Sequence, residues 1–313
     1  MSAGHVAYGL SLRSPFALPG MAPARLEGPP SLDLALEAPD ELEAAWSGPV
    51  GPSPWRGQLG DGQMLTIERG VDGDLRFAYG DRACFRLNPV GDRLGCAPRD
   101  ATNLDWRRVL LNRILPNVSI AHGNEALHAC AVETERGVLA VAAPSGTGKS
   151  TLARELMRKG RPLFADDVLI LSRGSRAVEA QAATPHMNVS AGAGDSGDLG
   201  ETLASLAGES WLAVHGASNG GRELAAVAIL ERGPGLSLDA KPLPGTPLDL
   251  APYMLGLPDD EGRDARRFAL YSDLVESVPL IQLTGGPADR PAALADALEC
   301  VLSLSSSLVA GAG

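Results

Sequence analysis

The chain is predicted to fold as an α/β protein preceded by a smaller, β-rich part of α+β character. Three observations carry this reading. Residues 143–151, Ala-Pro-Ser-Gly-Thr-Gly-Lys-Ser-Thr, match the phosphate-cradling loop G-x-x-x-x-G-K-[ST], with Ala143 in the first glycine position. The loop stands between an apolar run, Gly137–Ala143, and a stretch whose apolar residues recur at helical spacing. Residues 1–104 hold short alternating runs separated by Asp-Gly and Gly-Asp turns, the pattern of an antiparallel meander.

Taken in chain order, Val6–Leu12 alternates as a strand does, and Pro15, Pro19, Pro29 and Pro30 then break the chain. Gly48–Gly62, rich in Gly and Pro, is expected to be a loop. Met64–Glu68, Leu75–Tyr79 and Ala83–Leu87 are the strands of the meander. The segment DWRRVLLNRIL from Asp105 places Trp106, Val109, Leu110 and Ile114 on one face, so an amphipathic helix is expected to end at Pro116 and to bridge two units. The resulting division is a β-rich N-terminal domain over 1–104, a bridging helix over 105–116 and a nucleotide-binding catalytic domain over 117–313.

In the second unit, Glu125–Val132 and Gly137–Ala143 are apolar runs joined by a short polar turn, Glu133–Arg136. Strands this close form a hairpin, not a crossover, so the phosphate loop follows an antiparallel pair. After the loop, Leu152, Leu156 and Met157 share one helical face, Arg154, Glu155, Arg158 and Lys159 the other, and Gly160 and Pro162 stop the helix. Leu163–Leu171 (LFADDVLIL) reads as a buried strand that carries two acids. Ser190–Gly200 is a flexible loop by composition, Ala225–Leu230 and Val278–Leu283 are further strands, and Ala292–Leu304 is a closing helix. Arg232-Gly233, just past a strand, reads as a surface turn rather than a phosphate clamp, and there is no internal repeat.

The loop residues suit one chemistry. Gly146 and Gly148 let backbone N–H groups turn toward phosphates with no Cβ in the way. Lys149 reaches β- and γ-phosphates and the Ser150 hydroxyl ligates Mg²⁺, while a helix starting here aims its N-terminal dipole at the same anion. A chance Gly/Ser-rich turn is the alternative, and the flanking strand and helix weigh against it. Lys149, Lys159 and Lys241 are the only lysines of the chain, which makes one in this place pointed. Asp166 and Asp167 are costly to bury without a metal or partner; the alternative is a turn or an N-cap pair. On a regular strand they face opposite ways, so only one meets the γ-phosphate unless the strand bends. His128, taken alone, reads as a packed or structurally hydrogen-bonded residue.

Composition sets the bounds. A chain of 313 residues with 44% hydrophobic content builds one large or two modest domains with an ample core. The net charge of −11 argues against nucleic acid or an anionic membrane as partner, while the loop amides can still hold ATP. No apolar stretch is long enough to span a membrane and no signal peptide is read, so a cytoplasmic location is expected. Cys84, Cys96, Cys130 and Cys300 lack paired spacing and look like reduced cysteines, and His5, His122, His186 and His215 show no zinc-ligand spacing.

The segment Leu127–Leu171, 45 of 313 residues, resembles the catalytic core of HPr kinase/phosphorylase. That family has a His-Gly strand, a tight turn, a strand into G-x-S-G-x-G-K-S, a helix ending in R/K-G, and an A-D-D strand. Here His128 stands fifteen residues before the loop's first position and Asp166 seventeen after Lys149, in agreement with it. The opening VAYGLSLRSPFALPGM also resembles the start of HPr-kinase-like proteins encoded beside ribosomal-peptide modification enzymes, lasso-peptide clusters included. The resemblance implies a PEP-carboxykinase-like P-loop fold, in which a hairpin precedes the loop strand. It implies that Ser145, Gly146, Thr147, Gly148, Lys149, Ser150 and Thr151 hold the phosphates of ATP. It gives Asp166 the part of catalytic base, Ser150 and Asp167 that of Mg²⁺ ligands, and His128, with Lys149, a catalytic, orienting part. The expected activity is ATP- and Mg²⁺-dependent transfer of the γ-phosphoryl group to a serine hydroxyl of a peptide or small protein, such as a lasso-type precursor, by a chain that can form homo-oligomers. A small-molecule hydroxyl kinase and a nucleotide-binding regulator are the alternatives; the acid pair favours an enzyme. The chain departs from the family in one element: no E-[LIV]-R-G signature occurs around Thr184–Ser190, and Glu231-Arg232-Gly233 lacks the intervening aliphatic residue. The N-terminal β region also differs from the family's usual N-terminal domain.

Overall fold

The computed structural model describes residues 3–50, 54–174, 177–190, 197–206, 208–257 and 262–310, with side chains 206 and 304–310 left aside. The first unit is a mixed sheet of β1 (Ala3–Ala7), β2 (Leu10–Ser14), β3 (Leu32–Leu36), β4 (Trp55–Gln58), β5 (Met64–Arg69), β6 (Leu75–Tyr79), β7 (Ala83–Leu87) and β8 (Arg93–Pro98), ordered β1-β2-β3-β8-β7-β6-β5-β4. A short helix, α1 (Pro39–Ala44), covers β7 and β8. The meander forms as expected because Leu75, Phe77, Tyr79, Phe85 and Leu87 alternate into the core. Two expectations change. Val6–Leu12 is a hairpin, not one strand: Tyr8 (φ 56°) and Gly9 (φ 72°) both take left-handed backbone, as a two-residue type I′ turn requires. The Gly48–Gly62 loop contains β4; residues 51–53 lie outside the described residues.

The bridging helix does not stop at Pro116. It runs as α2 (Asp105–Val109), a π-helical turn over Leu110–Ile114, and α3 (Leu115–Ala121). The wider π turn restarts the helix, so Pro116 falls in the first turn of α3, where a missing N–H costs little. Trp106 lies edge-on to Phe16, ring centroids 5.2 Å apart, and one core of buried residues runs from Phe77 and Phe85 through Trp106, Leu110 and Ile114 to Phe164 and Tyr271.

The second unit continues with β9 (Glu125–Leu127), β10 (Ala129–Thr134), β11 (Gly137–Ala142), α4 (Lys149–Arg158), β12 (Leu163–Ala165), β13 (Leu169–Arg173), β14 (Val178–Gln181), β15 (His186–Ser190), β16 (Gly200–Leu206), β17 (Glu209–Val214), β18 (Gly221–Arg232), β19 (Asp239–Leu243), α5 (Pro247–Leu250), β20 (Met254–Leu255), α6 (Arg263–Ser277), β21 (Leu280–Gly285) and α7 (Pro291–Ala310). The large sheet is ordered β12-β10-β11-β18-β14-β13-β9-β20, with β21 beside β18 and β19 beside β21; β15, β17 and β16 form a separate small sheet. The β10–β11 hairpin precedes the loop as the spacing requires, with Thr134 opposite Gly137. β11, β18 and β21 run parallel. Helices α4 and α7 cover one face, burying Leu152, Leu156, Leu294 and Leu298 against Val141, Ala228 and Leu283. Burial of such side chains contributes roughly 1.5–3 kcal/mol each.

Two expected strands are broken. Glu125–Val132 divides at His128, whose N–H donates to the Tyr253 carbonyl at 2.7 Å, and Leu163–Leu171 divides at Asp166-Asp167. Both breaks lie at the end of the sheet that carries the 143–148 turn. The closing helix starts at Pro291 and extends to Ala310, and most of the Ser190–Gly200 loop, residues 191–196, lies outside the described residues. Among the described residues no helix is long and apolar enough to cross a membrane.

Candidate active site

β11 ends at Ala142 and the chain turns through 143–148 into α4. Gly148 caps the helix at φ 110°, a conformation a side chain would strain, and Gly146 at φ 80° has open space where a Cβ would sit. Lys149 is buried, 6% exposed, and its ammonium donates to the carbonyls of Ala143 (2.9 Å) and Pro144 (3.4 Å) and to Nε2 of His128 (3.0 Å). Because Nε2 accepts, the His128 hydrogen is assigned to Nδ1, which faces the backbone carbonyl of Asp167 at 3.0 Å and its carboxylate at 3.2 Å.

The acid pair sits on a tight turn. The Val168 N–H donates to the Asp166 carbonyl at 3.0 Å, with Asp167 between them at φ 75°. This i→i+2 turn is rare, and left-handed backbone at a residue other than glycine costs of order 1–3 kcal/mol. The turn sends the two carboxylates to different partners. Asp166 accepts from the Ser150 hydroxyl (2.9 Å), the Cys130 thiol (3.1 Å) and the Asn188 N–H (3.1 Å). Asp167 is ion-paired with Arg113, from the π turn, and faces His128. Their acidities separate accordingly. Burial, then the neighbouring Asp167 charge, raises the Asp166 carboxyl above its ordinary value despite its hydrogen bonds. Burial also pushes Asp167 upward, but Arg113, His128 and Lys149 together outweigh it and hold this carboxyl low. Burial, with Asp166 nearby, keeps the Cys130 thiol protonated.

Arg113, Lys149, Ser150, Asp166, Asp167 and Asn188 lie around one cavity of about 620 Å³, walled also by Ser145, Gly146, Gly148 and Thr151 of the loop and roofed by Gln58–Asp61 of the first unit; His128 reaches it through Lys149 and Asp167. Thr147 belongs to the same turn but is not on the wall. Ser150 and Asp167, paired as metal ligands in the sequence reading, share no hydrogen bond; the Ser150 hydroxyl donates to Asp166. Among the described residues no group of three or more His, Cys, Asp or Glu side chains forms a metal cluster, so a cation here would draw most ligands from phosphate and water, as Mg²⁺ does. The hard oxygens of Ser150 and Asp166 fit such a cation.

Sequence reading passed over Arg108, Arg113, Arg154 and Asn188, which line the cavity. Arg113 sat in an ordinary amphipathic pattern, and only the π turn brings it to Asp167. Asn188 lies on β15, far along the chain from the loop, and no spacing signalled it.

No protein-family model matches the chain, and no curated protein matches it. Among solved structures, the chain is similar to the HPr(Ser) kinase/phosphatase from Coxiella burnetii at 14% identity, over 59% of this chain and 95% of that one, with a TM-score of 0.35.

Proposed function

We propose that this chain is an ATP- and Mg²⁺-dependent kinase that transfers the γ-phosphoryl group to a hydroxyl acceptor. The observation that carries it is the meeting of the phosphate loop, two acids of opposite pKa displacement, and the Lys149–His128 contact around one cavity. A binding module needs the loop alone; the divided acids suit a site with two tasks. Mg²⁺, when bound, neutralises charge between the β- and γ-phosphates. Ser150 and Asp166 would hold it on the loop side. That exchanges the parts read from spacing, because Asp166 is the acid in contact with Ser150. Asp167, on the Arg113 side, would align the acceptor hydroxyl and take its proton. Lys149 leaves its two carbonyls and turns to the phosphates; His128 then keeps Asp167 oriented through Nδ1. Phosphoryl transfer asks mainly for positioning and charge neutralisation, so a carboxylate held low still serves.

A serine of a peptide or small protein is the acceptor favoured here. β4 is the edge strand of its sheet, its outer side is unpaired among the described residues, and Gln58 at its end lines the cavity roof. An extended peptide can add to such an edge. Trp55, 44% exposed on the same strand, offers an apolar platform. A small hydroxylated molecule is the second reading, favoured by Arg108, Arg113 and Arg154 converging on the cavity. Incubation with γ-labelled ATP and the serine peptides encoded beside the gene, against a panel of small alcohols and sugars, decides between them. Label in neither set, with ATP binding intact, would leave a nucleotide-binding regulator.

A further inference from the structure

β11 and β18 are parallel neighbours, β21 lies parallel beyond β18, and β12, antiparallel to β10, points the same way as β11. Four strand ends therefore share one edge of the sheet. The β12 end, with Asp166 and Asp167, stands on one side of the phosphate loop; the β18 and β21 ends stand on the other. For a nucleotide whose terminal phosphate faces the acids, the side of the loop away from them is the β18 and β21 side. Ligands of open parallel sheets settle at such carboxyl edges.

The loops leaving β18 and β21 are packed together there. Gly233 N–H donates to the Gly285 carbonyl (3.2 Å) and the Thr284 hydroxyl to the Ser237 carbonyl (2.8 Å). Between them lies Arg232. Its Nη2 donates to the carbonyls of Gly286 (3.0 Å), Pro287 (3.4 Å) and Asp289 (2.7 Å). Its Nη1 is 3.7 Å from where a Cβ on Gly148 would stand, and its Nε is buried with no hydrogen-bond partner among the described residues. No carboxylate pairs with it among the described residues. The guanidinium is thus fixed through Nη2 by three carbonyls, has no ion-pair partner among the described residues, and borders the glycine that opens α4. A planar cation held in this way suits a phosphate oxygen or the face of a base.

We infer that the loops after β18 and β21 form the nucleoside side of the nucleotide site and that Arg232 packs there against the base of the ligand and not on its phosphates. This rests on the nucleotide-binding reading above. The test is isothermal titration of ADP and, separately, of tripolyphosphate, which lacks a nucleoside, into the wild type and into Arg232→Ala, Arg232→Gln and Lys149→Ala. Glutamine removes the charge but keeps a polar N–H₂ group, on a shorter side chain, so it stands in if alanine loosens the loop; melting curves show which variants are folded. Both Arg232 variants are expected to lose about tenfold or more in ADP affinity, as loss of a cation–π contact does, with tripolyphosphate affinity kept within about twofold. Lys149→Ala should weaken both ligands. Wild-type ADP affinity in folded Arg232→Gln, with Lys149→Ala impaired, would overturn the role of Arg232 and leave the phosphate loop standing. Equal losses for both ligands would place Arg232 on the terminal phosphates and overturn the nucleoside assignment. Unchanged affinity in the lysine variant as well would remove the nucleotide site itself.

Discussion

Replacing Asp166 and Asp167 one at a time by asparagine separates the two acids. In Asp166→Asn the Ser150 hydroxyl, the Cys130 thiol and the Asn188 N–H lose a charged acceptor, at distances of 2.9, 3.1 and 3.1 Å. A hydrogen bond to a charged group is worth about 1.5–3 kcal/mol. If the acid holds the cation through Ser150, that energy appears as a rise of roughly tenfold to a hundredfold in the Mg²⁺ concentration needed for half-maximal transfer. Raising Mg²⁺ should then restore much of the rate. Asp167→Asn leaves the Ser150 contact untouched but releases Arg113 and one partner of His128. Loss of a positioned base lowers the rate by about 10²–10⁴-fold, and added Mg²⁺ should not recover it. The assay is phosphoryl transfer across a Mg²⁺ series, with nucleotide affinity by titration and melting curves as a check on folding. Rescue of Asp167→Asn but not of Asp166→Asn would refute the assignment and return the base to Asp166. Equal, rescuable losses in both would make the pair a metal site only.

Four further outcomes are expected. Lys149→Ala should cost about 2–4 kcal/mol in ATP·Mg affinity by titration, because the lysine is the loop's own charged contact; wild-type affinity would remove the site. Phosphorylated acceptor incubated with millimolar inorganic phosphate should release little pyrophosphate, since the E-x-R-G element is missing; efficient release would contradict that. Gly9→Val should lower stability by about 1–3 kcal/mol in urea titrations, because Gly9 sits at φ 72° with Gln181 Cγ 3.2 Å from its Cβ position; an unchanged midpoint would argue against the type I′ turn. Finally, burial lowers His186 from 6.5 to about 4, only partly offset by its 2.7 Å hydrogen bond to the Pro19 carbonyl. The unfolded chain therefore binds the extra proton first, so this stability is whole above pH 6.5 and is lost as pH falls toward about 4, at up to about 1.4 kcal/mol per pH unit. His186→Gln should flatten that slope in urea unfolding between those limits, and an unchanged slope would place the linkage elsewhere.

The loop and its setting were legible because their causes are local. Gly148 caps α4 with left-handed backbone, Leu152 and Leu156 fall four apart on its buried face, and Gly160 closes it at φ 88°. The meander was legible for the same reason, its period of two running over five-residue strands. The Tyr8-Gly9 turn was hidden because the apolar alternation Val6, Tyr8, Leu10, Leu12 runs straight through it in sequence; the turn switches the buried face, so Ala7 is buried and Val6 is exposed. Its conformation answers to the other unit: Tyr8 N–H donates to the Ala182 carbonyl at 2.6 Å, and Ser119 donates to the Tyr8 carbonyl at 2.7 Å. The strand breaks at His128 and at Asp166-Asp167 were hidden likewise. Both apolar runs are continuous in sequence, and what interrupts them comes from residues far along the chain, Tyr253, Arg113 and Lys149.

Those same breaks decide how the acids divide. Spacing from Lys149 gives their order and nothing of their neighbours. On an unbroken strand one carboxylate would have faced away from the cavity. The turn at Asp167 instead keeps both on its wall and sets them against opposite surroundings: Asp166 against hydroxyl, thiol and amide donors, Asp167 against cations. The strain at Asp167 is held by its ion pair with Arg113 and by His128, so the Asp167 side of the cavity depends on the bridging helix and not on the second unit's sheet alone. The π turn is what supplies Arg113 to that ion pair. An uninterrupted α-helix over 105–121 would rotate Arg113 relative to Trp106 and Val109, which anchor the other end of the helix in the core, and would take the guanidinium away from Asp167.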